Sequence, residues 1–250
     1  MGGRGLGARI LAVLVIFVSV ASGANADPAA SSRDAIHRLY DEGRFLDAAN
    51  EGVAAGSVDG LIIAARSLIA HGAYVAKPGG QVQFFQRALN LVTQVLEREP
   101  DNLEGHLQTV NALGHISRVE GHVEAHFKGY AKIAKRHLKR AKKTGPDNAW
   151  THALYGAWHS EIAVHAPGFI AFVYYRASKS KAVRYFERAI DLAPDNPVLL
   201  AEYGNAILMI DWKNNRGKAR ELYEKSLAIE PKNAFEKLVR ERTRRSLGRL

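Results

Sequence analysis

The chain has 250 residues, 47% of them hydrophobic, and no cysteine. That composition allows a sizeable buried core and excludes disulfide frameworks, thiolate chemistry and a lipid-modified cysteine anchor. The formal charge of +10 suits an anionic partner surface without specifying one.

At the N-terminus, Arg4 and Arg9 precede an uncharged apolar run over residues 10–20, and Ala24-Asn25-Ala26 follows as a small-x-small cleavage pattern. Residues 1–26 therefore read as an export signal, because a spanning helix needs about 20 apolar residues. An uncleaved anchor is the alternative. Cleavage near Ala26 leaves a chain starting at Asp27 with 33 basic and 25 acidic residues. Export without cysteine points to a periplasmic or secreted protein.

Residues 34–43 and 45–55 read as a short helical hairpin turning at Gly43, and residues 61–76 as a helix that is apolar nearly all round. Lys77-Pro78-Gly79-Gly80 breaks the latter. Four helices of one pattern follow. Residues 82–99 carry Ala88, Val92, Val95 and Leu96 on one stripe and end in Pro100-Asp101-Asn102. Residues 130–143 carry Ala134, Leu138 and Ala141 before Pro146-Asp147-Asn148. Residues 181–197 (KAVRYFERAIDLAPDNP) carry Ala182, Phe186, Ala189 and Ile190 before Pro194-Asp195-Asn196, and residues 216–230 carry Ala219, Tyr223 and Leu227 before Pro231-Lys232-Asn233. In each terminator the proline stops one helix and the asparagine supplies a cap for the next. Between them lie partner helices: 149–165 with Tyr155-Gly156, 198–210 with Tyr203-Gly204, and a divergent copy, 103–119, with Thr109-Val110 in the corresponding place. A last helix, 233–247, lacks a partner of its own and should cover the end of the array.

Paired helices with an aromatic knob, small flanking residues and a Pro-x-Asn terminator resemble the tetratricopeptide repeat (TPR). Successive terminator prolines are 46, 48 and 37 residues apart, whereas a TPR repeats at about 34. The excess implies insertions within helix pairs, at about residues 115–128 and 166–179. That combination, carried by EGHVEAHFKGYAKIAKRHLKRA (120–141), ALYGAW (153–158) and SKAVRYFERA (180–189), resembles the TPR-like domain of the regulator of microtubule dynamics family. The resemblance implies an all-α TPR-like α-solenoid of about four to five helix-turn-helix units with long inserts, closed by a C-terminal capping helix, as one domain over residues 27–250. Only the architecture is carried over, since an exported protein does not meet microtubules.

A TPR-like array implies a non-catalytic module that holds a peptide or partner helix against the first helices of its pairs. On this chain the implied surface includes Glu104, Asn111, His115, Trp150, Glu161 and Asn205, with Trp150 as aromatic anchor and the asparagines bonding a partner backbone. The second insert opens with APGFIAFVYY (166–175); Phe169, Phe172 and Tyr174 there form a lid, a docking loop or a membrane wedge, or fold back into the core. Residues 128–143 hold eight lysines and arginines and no carboxylate. Lys132, Lys135, Arg136, Lys139 and Arg140 are thus either a solvated outer face or a contact for an anionic membrane surface or acidic protein. Export, and the absence of aromatics interleaved with these charges, argue against nucleic acid.

His115, His122 and His126 share a face only if their helix continues through Gly121, so a metal site is not expected and no cofactor is implied. No Gly-x-Ser-x-Gly, phosphate loop or paired carboxylates occur, which argues against an enzyme. Two other readings stand beside the binding module: a periplasmic carrier of a small ligand or metal, and a basic structural protein at a membrane surface. The sequence sets no oligomeric state.

Overall fold

The computed structural model describes residues 28–250; the export-signal reading falls outside them. Among the described residues there are twelve α-helices, one π-helical segment and no strand. The helices are α1 (Pro28–Asp41), α2 (Phe45–Ala55), α3 (Val58–Tyr74), α4 (Gln81–Arg98), α5 (Leu103–Glu120), α6 (His122–Phe127), α7 (Tyr130–Thr144), α8 (Ala149–His165), α9 (Lys179–Leu192), α10 (Pro197–Ile210), α11 (Trp212–Ala228) and α12 (Ala234–Leu247). They stack as five antiparallel pairs, α1/α2, α3/α4, α5/α7, α8/α9 and α10/α11, followed by α12. The expected all-α solenoid and its two inserts are therefore present. The inserts are α6 and the π-helix Ile170–Tyr175.

The terminators act as read from the sequence. Asn102, Asn148, Asn196 and Asn233 each cap the following helix through the side-chain oxygen, accepting from the amides of Gly105 (2.8 Å), Thr151 (2.9 Å), Leu199 (3.1 Å) and Glu236 (2.9 Å). Each cap satisfies a backbone donor that has no partner inside the helix. α3 and α10 are buried on most of their circumference, whereas α4, α7 and α9 bury only a narrow apolar stripe. The first kind of helix faces neighbours on several sides and the second forms the outer layer.

Within pairs, aromatic knobs seat on glycines. A Cβ built on Gly156 would lie 2.5 Å from the Phe186 ring, and one on Gly204 2.5 Å from the Tyr223 ring. Both rings are about 1% exposed. The α3/α4 pair does the same, with Phe85 against Gly72 at 2.7 Å, an interlock outside the repeat pattern read from the sequence.

The capping helix has a second role. α12 covers α10 and α11, where Val239 joins Val198 and Ala201. It also reaches the first pairs: Ala234, Phe235 and Leu238 pack with Ile36, Tyr40 and Phe45, and Phe235 meets Tyr74 edge-on at 5.5 Å. The last helix thus touches the first, and the array closes on itself.

Gly156→Ala should lower stability by about 1–3 kcal/mol in urea unfolding, because the clash with Phe186 outweighs alanine's better helix propensity. Asn148→Ala should cost about 1 kcal/mol by the same measurement.

Candidate functional site

Where α5, α7 and α8 meet the two inserts, the structure leaves an apolar cavity of about 390 Å³. Repeat helices form its floor, through Val110, Gly114, Ala134, Leu154 and Trp158. Insert residues form its mouth, through Val123, Phe127, Pro167 and Ile170. Trp158 is fixed in the wall by donating its indole N–H to the Ala131 carbonyl at 2.9 Å.

The inserts take shape at specific backbone positions. Gly121 (φ 94°) ends α5 and Gly129 (φ 70°) precedes α7, two left-handed sites that turn α6 aside from both helices. Pro167 follows the end of α8, and the π-helix closes at Arg176, which is itself left-handed (φ 54°). Tyr175 and Ala171 point inward and are buried. The Tyr175 hydroxyl lies 3.2 Å from His126 Nδ1, joining one insert to the other. Lys135 donates to the Tyr175 carbonyl and lies 4.9 Å above the Trp158 ring.

One charged group sits at the cavity edge. Arg118 Nε donates to Glu161 Oε1 at 2.7 Å, and Glu161 Oε2 is 3.6 Å from His165 Nε2. Burial pushes the Arg118 guanidinium down, but the Glu161 and Glu202 carboxylates outweigh that effect and keep it raised. Arg118 is held cationic and bridges α5 to α8.

Of the residues read from the sequence, Asn111 and Glu161 line this cavity, and Glu104, His115, Trp150 and Asn205 do not. Glu104 accepts from Gln108 (2.8 Å) and faces Arg66 at 3.8 Å. His115 stacks on Phe85 at 4.8 Å. Asn205 accepts the Tyr223 hydroxyl at 2.7 Å. Trp150 is partly exposed in the first turn of α8. The tryptophan at the cavity is Trp158, two turns further along. Arg118 continues the stripe that holds Glu104, Asn111 and His115, so the same register, carried one turn on, leads to it. Gly121 separates His115 from His122 and His126, which fall on α6.

The second insert divides. Tyr175 enters the core, while Phe169 (77% exposed), Phe172 (71%) and Tyr174 (52%) remain outside it. Phe127 of the first insert is 81% exposed. The basic helix divides as well. Lys132 lies 4.6 Å over the Tyr174 ring, Lys142 stands 5.2 Å over Tyr185, and Arg140 pairs with Asp101 at 3.2 Å. Arg136, Lys139 and Lys143 remain exposed and form no ion pair among the described residues.

Several histidines are packed as neutral rings. His106 and His137 place their Nδ1 atoms 3.0 Å apart, so one must donate and the other accept. His159 stacks on Tyr185 at 5.4 Å. Burial, then neighbouring cations, push His159 down to about 4; burial, then His106, Arg136 and Arg140, do the same to His137. His115 is pushed to about 3, by burial first and then by Arg118 and Arg242.

The model of the family described as Regulator of microtubule dynamics protein 1-3 matches residues 50–250. Among solved structures, the chain is similar to a thermophilic TPR protein of Thermus thermophilus, at 20% identity and a TM-score of 0.61, over 86% of this chain and 98% of that one. It is also similar to MamA, residue 41 to the end, of Desulfovibrio magneticus RS-1, at 17% identity and a TM-score of 0.46, over 82% of this chain and 96% of that one. No curated protein sequence matches. The first likeness shows a TPR-type fold.

The buried imidazoles bind protons more readily in the unfolded chain, near pH 6.5, than in the folded one. Stability should therefore be full above about pH 6.5 and decline as pH falls toward 4. Urea midpoints between pH 7 and 4 should show this decline, and His159→Phe should flatten it.

Proposed function

Since the chain belongs to the Regulator of microtubule dynamics protein 1-3 family, we propose that it is a non-catalytic protein-interaction module, exported from the cytosol, that receives apolar side chains of a partner peptide or helix. One observation carries this reading: the 390 Å³ apolar cavity whose mouth is built by the two inserts. Specific sites of this kind combine a concave apolar wall with a few placed polar groups. Trp158 supplies a rigid aromatic surface, and Asn111, Arg118 and Glu161 supply polar contacts at the edge.

The closure by α12 favours this cavity over the wider concave side. Arg242 of α12 lies 5.5 Å above Tyr74 of α3, so the chain's own last helix already crosses between the early and late inner helices. A partner helix laid along the full concave side would have to displace it. Microtubules are not the proposed partner, because a chain exported on its N-terminal signal would not share their compartment.

Gly114 gives a direct test. It lines the cavity, and a Cβ there would meet no atom within 4 Å. Gly114→Phe should fill the cavity without disturbing the fold, and the exchange of glycine for phenylalanine should change helix stability by only about a few tenths of a kcal/mol. In affinity capture from the native extract, partners recovered with the wild-type chain should be lost with this variant at unchanged melting temperature. Recovery of the same partners by both chains would place binding elsewhere. A small molecule that co-purifies stoichiometrically in native mass spectrometry would indicate a carrier instead. Independently, intact-mass measurement of the native protein should give a chain beginning at Asp27; an unprocessed N-terminus would overturn the cleavage reading.

A further inference from the structure

The outer side of the second insert is distinct from the cavity behind it. Phe169, Phe172, Val173 and Tyr174 are all more than half exposed, and none of them lines the cavity. Soluble proteins seldom leave so many large apolar side chains together in water. Nor is the segment a loose loop that could hide them. Its backbone is tied at four points: Ala171 N–H to the Pro167 carbonyl (2.9 Å), Ala177 N–H to the Ala171 carbonyl (2.8 Å), Lys135 to the Tyr175 carbonyl, and Lys181 to the Arg176 carbonyl (2.9 Å). With Ala171 and Tyr175 locked into the core, the wide π-helical turn holds Phe172 and Val173 outward.

The charges nearest this wedge are cationic. Lys132 sits over Tyr174 at 4.6 Å, and from it Lys132, Arg136, Lys139 and Lys143 run as one stripe along α7 at i, i+4, i+7 and i+11. Arg176 and Lys179, which follow the wedge in the chain, are also exposed. The nearby carboxylates, Glu120 and Glu124, are engaged by Lys128 at 3.0 and 3.3 Å. Aromatic side chains between a polar body and a row of cations match a bilayer interface, where rings sit at headgroup depth and lysines and arginines meet anionic lipid. Among the described residues no helix is long and apolar enough to cross a membrane, so such contact would be peripheral.

We propose that the Phe169–Tyr174 wedge and the Lys132–Arg136–Lys139–Lys143 stripe together form a docking surface for an anionic lipid bilayer. Lipid contact would orient the chain with its apolar cavity close to the membrane surface, since Ile170 and Tyr175 line that cavity from the same insert. The proposal does not depend on which partner the cavity takes.

The test is sedimentation of the mature chain with phosphatidylcholine vesicles, with and without phosphatidylglycerol. Binding should require the anionic lipid and weaken as salt rises. Phe169→Ser with Phe172→Ser should lower the partition coefficient by about tenfold or more. Arg136→Gln and Lys139→Gln should lower it by about fivefold each. These side chains are exposed, and Arg136 and Lys139 form no ion pair among the described residues, so melting temperatures should stay constant. Phe172→Trp should show blue-shifted emission on adding anionic vesicles. The proposal fails if the chain ignores anionic vesicles at low salt, or if binding is indifferent to the phenylalanine pair. It also fails if that pair instead governs a monomer–dimer equilibrium in size-exclusion chromatography, which would make the wedge a contact between copies.

Discussion

The structure depends on how closely two helices of a pair can approach. Where a glycine faces an aromatic ring, as Gly156 faces Phe186 and Gly204 faces Tyr223, the ring occupies the space a methyl group would need. Close packing of this kind has little tolerance for added volume. It fixes the spacing within the pair, and the asparagine caps fix how each pair hands over to the next. Among the four pairs from α3/α4 onward, α5/α7 is the exception: its knob is Leu138, packed with Val110, and Thr109-Val110 stands where α8 and α10 carry an aromatic and a glycine. The cavity opens beside this pair. Its position follows from the one place where the repeat lacks its aromatic interlock and carries an insert.

Much of this was readable from the chain because repeat and terminator are local signals. A stripe of small and apolar residues at helical spacing, ended by proline and followed by asparagine, needs no distant contact to be recognised. All four asparagines cap as their positions imply. The closure of the array was not readable. Ala234, Phe235 and Leu238 form a modest apolar stripe, and nothing in it names Ile36 or Tyr40, about two hundred residues earlier, as the surface they meet. That contact arises from curvature accumulated over five pairs. Likewise Trp150 and Trp158 are equally plausible anchors by residue type; only the packing of α8 against α7 puts Trp158 at the cavity.

Runs of like residues proved divided in the same way. Residues 166–175 read as one hydrophobic stretch, yet π-helical geometry sends Tyr175 to His126 and leaves Phe172 in solvent. The cationic helix is divided by its register. Lys135 and Lys142 lie against aromatic faces, which are favourable surroundings for a cation. The stripe through Arg136, Lys139 and Lys143 finds no such partner among the described residues.

These two divisions are linked. Lys132 and Lys135 hold the π-helix by the same side chains that begin the basic helix, one over the Tyr174 ring and one at the Tyr175 carbonyl. Desolvation, followed by repulsion from Lys139, Lys181 and Arg176, lowers the pKa of the Lys135 ammonium, so crowding cations here has a cost. A fold under no demand but stability would gain by placing a carboxylate among them. None occurs from 128 to 143; Glu120, Glu124 and Asp101 reach in to Lys128 and Arg140, and the outer face of the insert is where the remaining positive field and the exposed rings coincide.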